Sequence, residues 1–120
     1  MIRFLFIVLF LFFSLNLPTP SLANSLEKEL KQSVKYLEEI PEVKWVKVKR
    51  NSVIVGWRGF PPKFNLINTA VALKASQATG RTVHVWSVRH TQKNWIIGTR
   101  PFLCKTTARN GKVKETSCNF

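Results

Sequence analysis

The chain has 120 residues, 45% hydrophobic and 21% charged, an ordinary globular composition that excludes disorder, collagen and coiled coil. At roughly 100–200 residues per domain, it holds one domain. Nineteen Lys and Arg against six Glu give a net charge of +13, with a pI near 10.5, which points to partners of negative charge.

Arg3 precedes an unbroken apolar run from Phe4 to Phe13, which fades over Ser14 to Leu17. Pro18 and Pro20 then break the helix, and Ser21-Leu22-Ala23 sets small residues at the −3 and −1 positions of a cleavage site. This pattern predicts a signal peptide over residues 1–23 and a mature domain over 24–120. An uncleaved anchor would need roughly 20 apolar residues, a length reached here only by counting Asn16 and the prolines. The expected product is an exported protein, periplasmic or secreted and soluble after cleavage. In such a compartment two cysteines are expected to pair.

Asn24 or Ser25 can cap a first helix, with Glu27 and Glu29 at the positive end of its dipole. Leu26, Leu30, Val34 and Leu37 form its apolar stripe, extended by Ile40 and stopped by Pro41. Val43 to Lys49 alternates with a phase slip that a β-bulge at Trp45-Val46 would reconcile. That bulge would set Lys44, Lys47 and Lys49 on one solvent face. Arg50-Asn51-Ser52 offers a turn into a second strand, where Val53, Val55 and Trp57 alternate and Gly56 leaves room for close packing.

Gly59, Pro61 and Pro62 end that strand, and a second helix is predicted over roughly Lys63 to Thr79. Its expected inner side is Phe64, Ile67, Val71, Ala75 and Ala78, widened by Leu66, Ala70 and Leu73, with Gly80 as the C′ residue. Thr82 to Val88 reads as a third strand, and Trp95 to Ile97 as a fourth. Phe102 to Arg109 and Lys112 to Cys118 complete the sheet, joined by Asn110-Gly111, a strong hairpin signal. A two-residue turn there pairs Arg109 with Lys112 and carries Cys104 opposite Ser117, one residue short of Cys118. Either the loop has three residues or a bulge lies between the turn and a Cys104–Cys118 disulfide.

The fold class that follows is α+β, with two helices on one face of a mostly antiparallel sheet. The expected element order is α-β-β-α-β-β-β-β, ending in a disulfide-stapled hairpin.

Charge is uneven along this order. Five of the six glutamates lie between Glu27 and Glu42, interleaved with Lys28, Lys31 and Lys35. From Val43 to Lys114 there are 15 Lys or Arg and no carboxylate side chain. Lys44, Lys47, Lys49, Arg50, Trp57, Arg58, Trp86 and Arg89 are therefore the candidate binding residues, cations interleaved with aromatics on a sheet face. Basic–aromatic interleaving suits nucleic acid or sugar, because cations hold phosphate and rings stack.

His84 and His90 are the only histidines, and a basic exported protein with two histidines invites a nuclease reading. Six residues along a straight strand would hold them about 20 Å apart on one face, too far to share a phosphate. No Asp exists to orient either ring. Two cysteines and two distant histidines lack metal-ligand spacing, so neither a metal nor another cofactor is expected. The favoured expectation is a non-catalytic exported binding protein, whose partner is an anionic surface or macromolecule: membrane lipid, envelope polyanion, nucleic acid or acidic protein. A small nuclease using His84 and His90, or an inhibitor of a secreted enzyme, are the alternatives.

Overall fold

The computed structural model describes residues 22–59 and 64–118. Apart from Leu22 and Ala23, the expected signal peptide lies outside the described residues, as do Pro61 and Pro62. Helix α1 (Leu22–Ser33) leads into a 3₁₀ turn (Lys35–Glu39), then β1 (Val43–Lys49), β2 (Ser52–Trp57), α2 (Phe64–Thr79), β3 (Thr82–Arg89), β4 (Cys104–Arg109) and β5 (Lys112–Cys118). The strands form one sheet in the order β1-β2-β3-β4-β5. Only β2 and β3 are parallel, and α2 supplies the crossover that a parallel pair requires. The expected α+β arrangement forms, with five strands rather than six. No helix among the described residues is long and apolar enough to cross a membrane.

Helix α1 begins ahead of Asn24 and Ser25, so neither caps it, and it ends earlier than expected. The reason for the early end is legible in the spacing. Leu26, Leu30 and Val34 recur every four residues, which an α-helix of 3.6 residues per turn keeps on one side. Val34, Leu37 and Ile40 recur every three, the period of a 3₁₀ helix. The chain changes winding where the spacing changes, and Leu37 N–H donates to the Val34 carbonyl at 3.0 Å. Leu30, Val34 and Leu37 all stay buried.

These side chains meet Val53, Val55 and Trp57 of β2 and Val83 and Val85 of β3 in one core, which α2 also covers. The inner side of α2 differs from the expected one. Asn68, Val71, Ala72, Ala75 and Ser76 are buried, while Leu66, Ala70 and Ala78 are exposed. Small residues let the helix lie close to the sheet, and polar partners make burial of Asn68 tolerable. Its Nδ2 donates to Thr106 Oγ1 at 2.7 Å, and its Oδ1 accepts from Ser87 Oγ at 2.7 Å. Ser87 Oγ in turn accepts from Trp57 Nε1 at 3.0 Å. Gly80 terminates α2 with φ of 66° and an N–H donated to the Ser76 carbonyl, the expected left-handed stop.

The bulge in β1 exists but sits one residue earlier than expected. Val43 pairs with Trp57 and Trp45 with Gly56, so Lys44 is the inserted residue. Gly56 does allow close packing, since the Trp45 indole lies directly over its backbone. The C-terminal hairpin resolves its register by the bulge, not the longer loop. Arg109 pairs with Lys112, the ladder shifts between Thr107 and Ala108, and Cys104 then faces Cys118, to which it is disulfide-bonded. Asn110 and Gly111 have φ of 50° and 76°, as a two-residue turn of the primed type needs.

Trp95 to Ile97 is not a strand. Residues 90–103 form a loop of local turns: Trp95 N–H bonds to the Gln92 carbonyl, and Thr99 N–H to the Ile96 carbonyl. Its apolar side chains serve a second, smaller cluster on the sheet face away from the helices, where Trp95, Ile97, Phe102 and Trp45 cover Ile54, Trp86 and Val88. This double coverage explains why all six residues of β2 are buried.

Candidate functional site

The sheet face away from the helices is set by register. Trp45, Lys47 and Lys49 of β1 oppose Gly56, Ile54 and Ser52, which align with Val88, Trp86 and His84 of β3. Trp86 and His84 face Lys105 and Thr107 of β4, and Thr107 faces Glu115 of β5. Only the upper part of this face carries the 90–103 loop. Beneath it lies a groove of about 570 Å³, whose lining includes Lys49, Arg50, His84 and Lys105 and, on the apolar side, Trp86, Trp95 and Ile96. Among the described residues, no carboxylate lines it.

The tryptophans act as scaffold for this surface. Trp86 is 6% exposed and packed by Trp95 at 5.1 Å and, edge-on, by Phe102 at 5.2 Å between ring centroids. Lys105 Nζ sits 4.9 Å from the Trp86 ring centroid, a cation–π contact that holds the ammonium at the groove. Trp45 is sandwiched between Gly56 and Lys47 Nζ, which lies 5.1 Å above its ring and donates to the Lys93 carbonyl. Trp45 Nε1 donates to the His90 carbonyl at 2.8 Å. Trp86 Nε1 is a buried donor with no hydrogen-bond partner among the described residues.

The candidate residues do not form one patch. Lys47, Lys49 and Trp86 share the open face, with Arg50 in the adjoining turn. Trp57 does not: it faces the helices, is 3% exposed and is tied to Ser87, because its register partner is the buried Val43. Lys44, Arg58 and Arg89 lie at the other end of the strands from Arg50, about 17 Å away at roughly 3.3 Å per residue. There Arg58 N–H donates to the Glu42 carbonyl at 2.7 Å, and Arg89 N–H to Gln92 Oε1 at 3.0 Å. A lysine covers each of Trp45 and Trp86, which reduces the stacking platform that the sequence pattern suggested to the half-buried Trp95 in the groove lining.

The histidines remain apart. His84 lies in the groove lining, its Nδ1 2.8 Å from Thr107 Oγ1, whereas His90 lies past the far end of β3. Burial and the neighbouring Lys105 hold the His84 imidazole below its usual pKa, with Glu115 opposing. No group of three or more His, Cys, Asp or Glu among the described residues could hold a metal ion.

Lys105 is the groove residue that sequence reading passed over. It stands in a strand beside neither an aromatic nor a basic neighbour, and only the β3–β4 register brings it onto Trp86. Comparison with protein-family models, curated proteins and solved structures finds no match.

Proposed function

We propose that this is an exported, non-catalytic binding protein that takes an anionic ligand in the groove between the β1–β2 turn and the 90–103 loop. The observation that carries the reading is the lining itself: Lys49, Arg50 and Lys105 around one concavity that no carboxylate among the described residues lines. Charges of one sign lining a cleft focus potential more than the same charges spread over a convex surface. The cation–π contact on Lys105 supports it further, because a lysine already held in place loses less side-chain entropy when it binds. The Cys104–Cys118 disulfide supports export, as does the signal-like N-terminus.

The test is retention on heparin and its salt dependence. Lys49→Gln with Lys105→Gln is expected to elute at clearly lower salt than wild type. Lys28→Gln with Lys31→Gln, an equal charge change among the glutamates of α1, is expected to change elution much less. Equal loss from both pairs would mean that net charge alone binds, and the groove reading would fail.

A further inference from the structure

At the turn end of the sheet a second cleft, of about 550 Å³, opens beside the groove. Three arginines line it: Arg50, Arg81 and Arg109. Their convergence is topological. Arg50 is in the turn before β2, Arg81 directly precedes β3, and Arg109 ends β4. Because β2 and β3 run parallel and β4 antiparallel, all three arrive at one end of three adjacent strands. At roughly 4.8 Å between strands, they span about 10 Å. Nothing in the sequence links them, since 30 residues separate Arg50 from Arg81 and nearly as many separate Arg81 from Arg109.

The cleft adjoins the groove, since Arg50 and Asn51 line both, while Leu26 and Gly80 wall it on the helix side. Along β4 the side chains of Lys105, Thr107 and Arg109 alternate onto the open face, so the cations run from the groove to the sheet end. Lys105 and Arg109 are about 13 Å apart by strand rise. The carboxylates near this path are Glu27, whose Oε1 accepts the Arg50 backbone N–H at 2.7 Å, and Glu115, opposite Thr107. Five cations, Lys49, Lys105, Arg50, Arg81 and Arg109, outnumber them.

We propose that groove and cleft are two subsites of one track for a linear anionic polysaccharide, joined at Arg50. This rests on the groove reading above and deepens it. Arginine forks pair bidentately with sulfate, phosphate or carboxylate, so the cleft recognises the oxyanions that such a polymer repeats along its length. A nucleic acid of the same charge is less well served. Single-strand binding draws on several rings that stack successive bases, and here Trp45 and Trp86 are capped and Trp57 is buried, which leaves Trp95 as the one tryptophan open in the groove. A membrane is less well served too, because the cations follow a path around the end of the sheet rather than one plane.

Linking two subsites through one chain raises affinity well beyond either alone, by factors on the order of 10²–10⁴ when the geometry permits. The experiment compares a heparin disaccharide, which fills one subsite, with a dodecasaccharide by calorimetry at fixed salt. Arg81→Gln with Arg109→Gln is expected to weaken the dodecasaccharide at least ten-fold and leave the disaccharide unchanged. Lys49→Gln with Lys105→Gln is expected to weaken both. Arg50→Gly supplies a variant that folds readily, since Arg50 has φ of 55°, where glycine fits without strain. It is expected to remove most of the length advantage.

If the arginine pair weakens neither length, or both equally, the track is wrong while the groove can still stand on its own variant. If the groove pair has no effect on either length, the groove reading falls and takes the track with it. Tighter binding of a single-stranded oligonucleotide of equal charge, lost on Trp95→Ala, would overturn the polysaccharide assignment. So would stronger binding to vesicles containing anionic lipid, lost on Ile96→Asp.

Discussion

Replacing Gly56 by Ala is a one-methyl perturbation with a calculable consequence. A Cβ at Gly56 would lie 2.2 Å from Trp45 Cε2 and 2.6 Å from both Cδ2 and Cζ2. These are atoms of the fused ring system, which cannot flex, so the whole indole must leave its place. Three things then change. Overpacking of this kind costs about 1–3 kcal/mol. The hydrogen bond from Trp45 Nε1 to the His90 carbonyl, 2.8 Å long, is worth about 0.5–1.5 kcal/mol. The Lys47 ammonium loses the ring beneath it, about 0.5–1 kcal/mol at an exposed site. Removing a glycine from the unfolded chain returns about 0.4–1 kcal/mol. The net expectation is a destabilisation of about 1–5 kcal/mol, centred near 3, and for a domain of this size that centre lowers Tm by roughly 12–24 °C. Urea unfolding followed by tryptophan fluorescence measures it, with a red shift of native emission as Trp45 is expelled. The cause is isolated by a double-mutant cycle: in a Trp45→Ala background, Gly56→Ala should cost almost nothing. A Gly56→Ala protein within about 0.5 kcal/mol of wild type, or a cost that persists without Trp45, would refute the reasoning.

Two further outcomes are expected. Trp57→Phe should destabilise more than Trp86→Phe in urea melts, although both indoles are buried. The first leaves Ser87 short of a donor in the Asn68 network, while the second removes an N–H that has no partner, and an unmet buried group costs about 1–3 kcal/mol. Equal losses would show that ring area alone decides. His84 should make stability pH-dependent: its folded pKa lies below the ordinary 6.5, so the neutral ring is the stabilised form. That stability is present above the unfolded value and is lost as pH falls through the folded one. The urea midpoint should therefore decline on acidification below about 6.5, and His84→Gln should flatten that limb; an unchanged slope in the variant would sink the assignment.

Much of the fold is local enough to read from the chain. The four-residue spacing of Leu26, Leu30 and Val34, the strand runs around Val53 and Val85, the stop at Gly80 and the Asn110-Gly111 turn each follow from residues a few positions apart. The cysteine offset demanded either a longer loop or a bulge, because a side-chain period of two tolerates no half-step, and the ladder shift next to Thr107 answers it. Cationic character was legible for the same reason: charge is a sum over residues and does not depend on who neighbours whom.

What the tertiary structure alone decided is which of those residues meet. The inner side of α2 keeps the expected Val71 and Ala75 but adds Asn68 and Ser76, which look like surface residues until Thr106 and Ser87 bond the first and the Gly111 N–H bonds the second. Trp57 and Trp86 are alike in sequence, yet strand phase sends one to the helices and the other beneath the 90–103 loop. Lys105 reaches the groove that Lys49 lines because strand pairing sets it beside Trp86, and Arg50, Arg81 and Arg109 converge because a parallel crossover and an antiparallel return bring them to the same end of the sheet. Periodicity reports which way a side chain points relative to its own element. Register and strand direction, which are contacts between distant segments, determine what it points at.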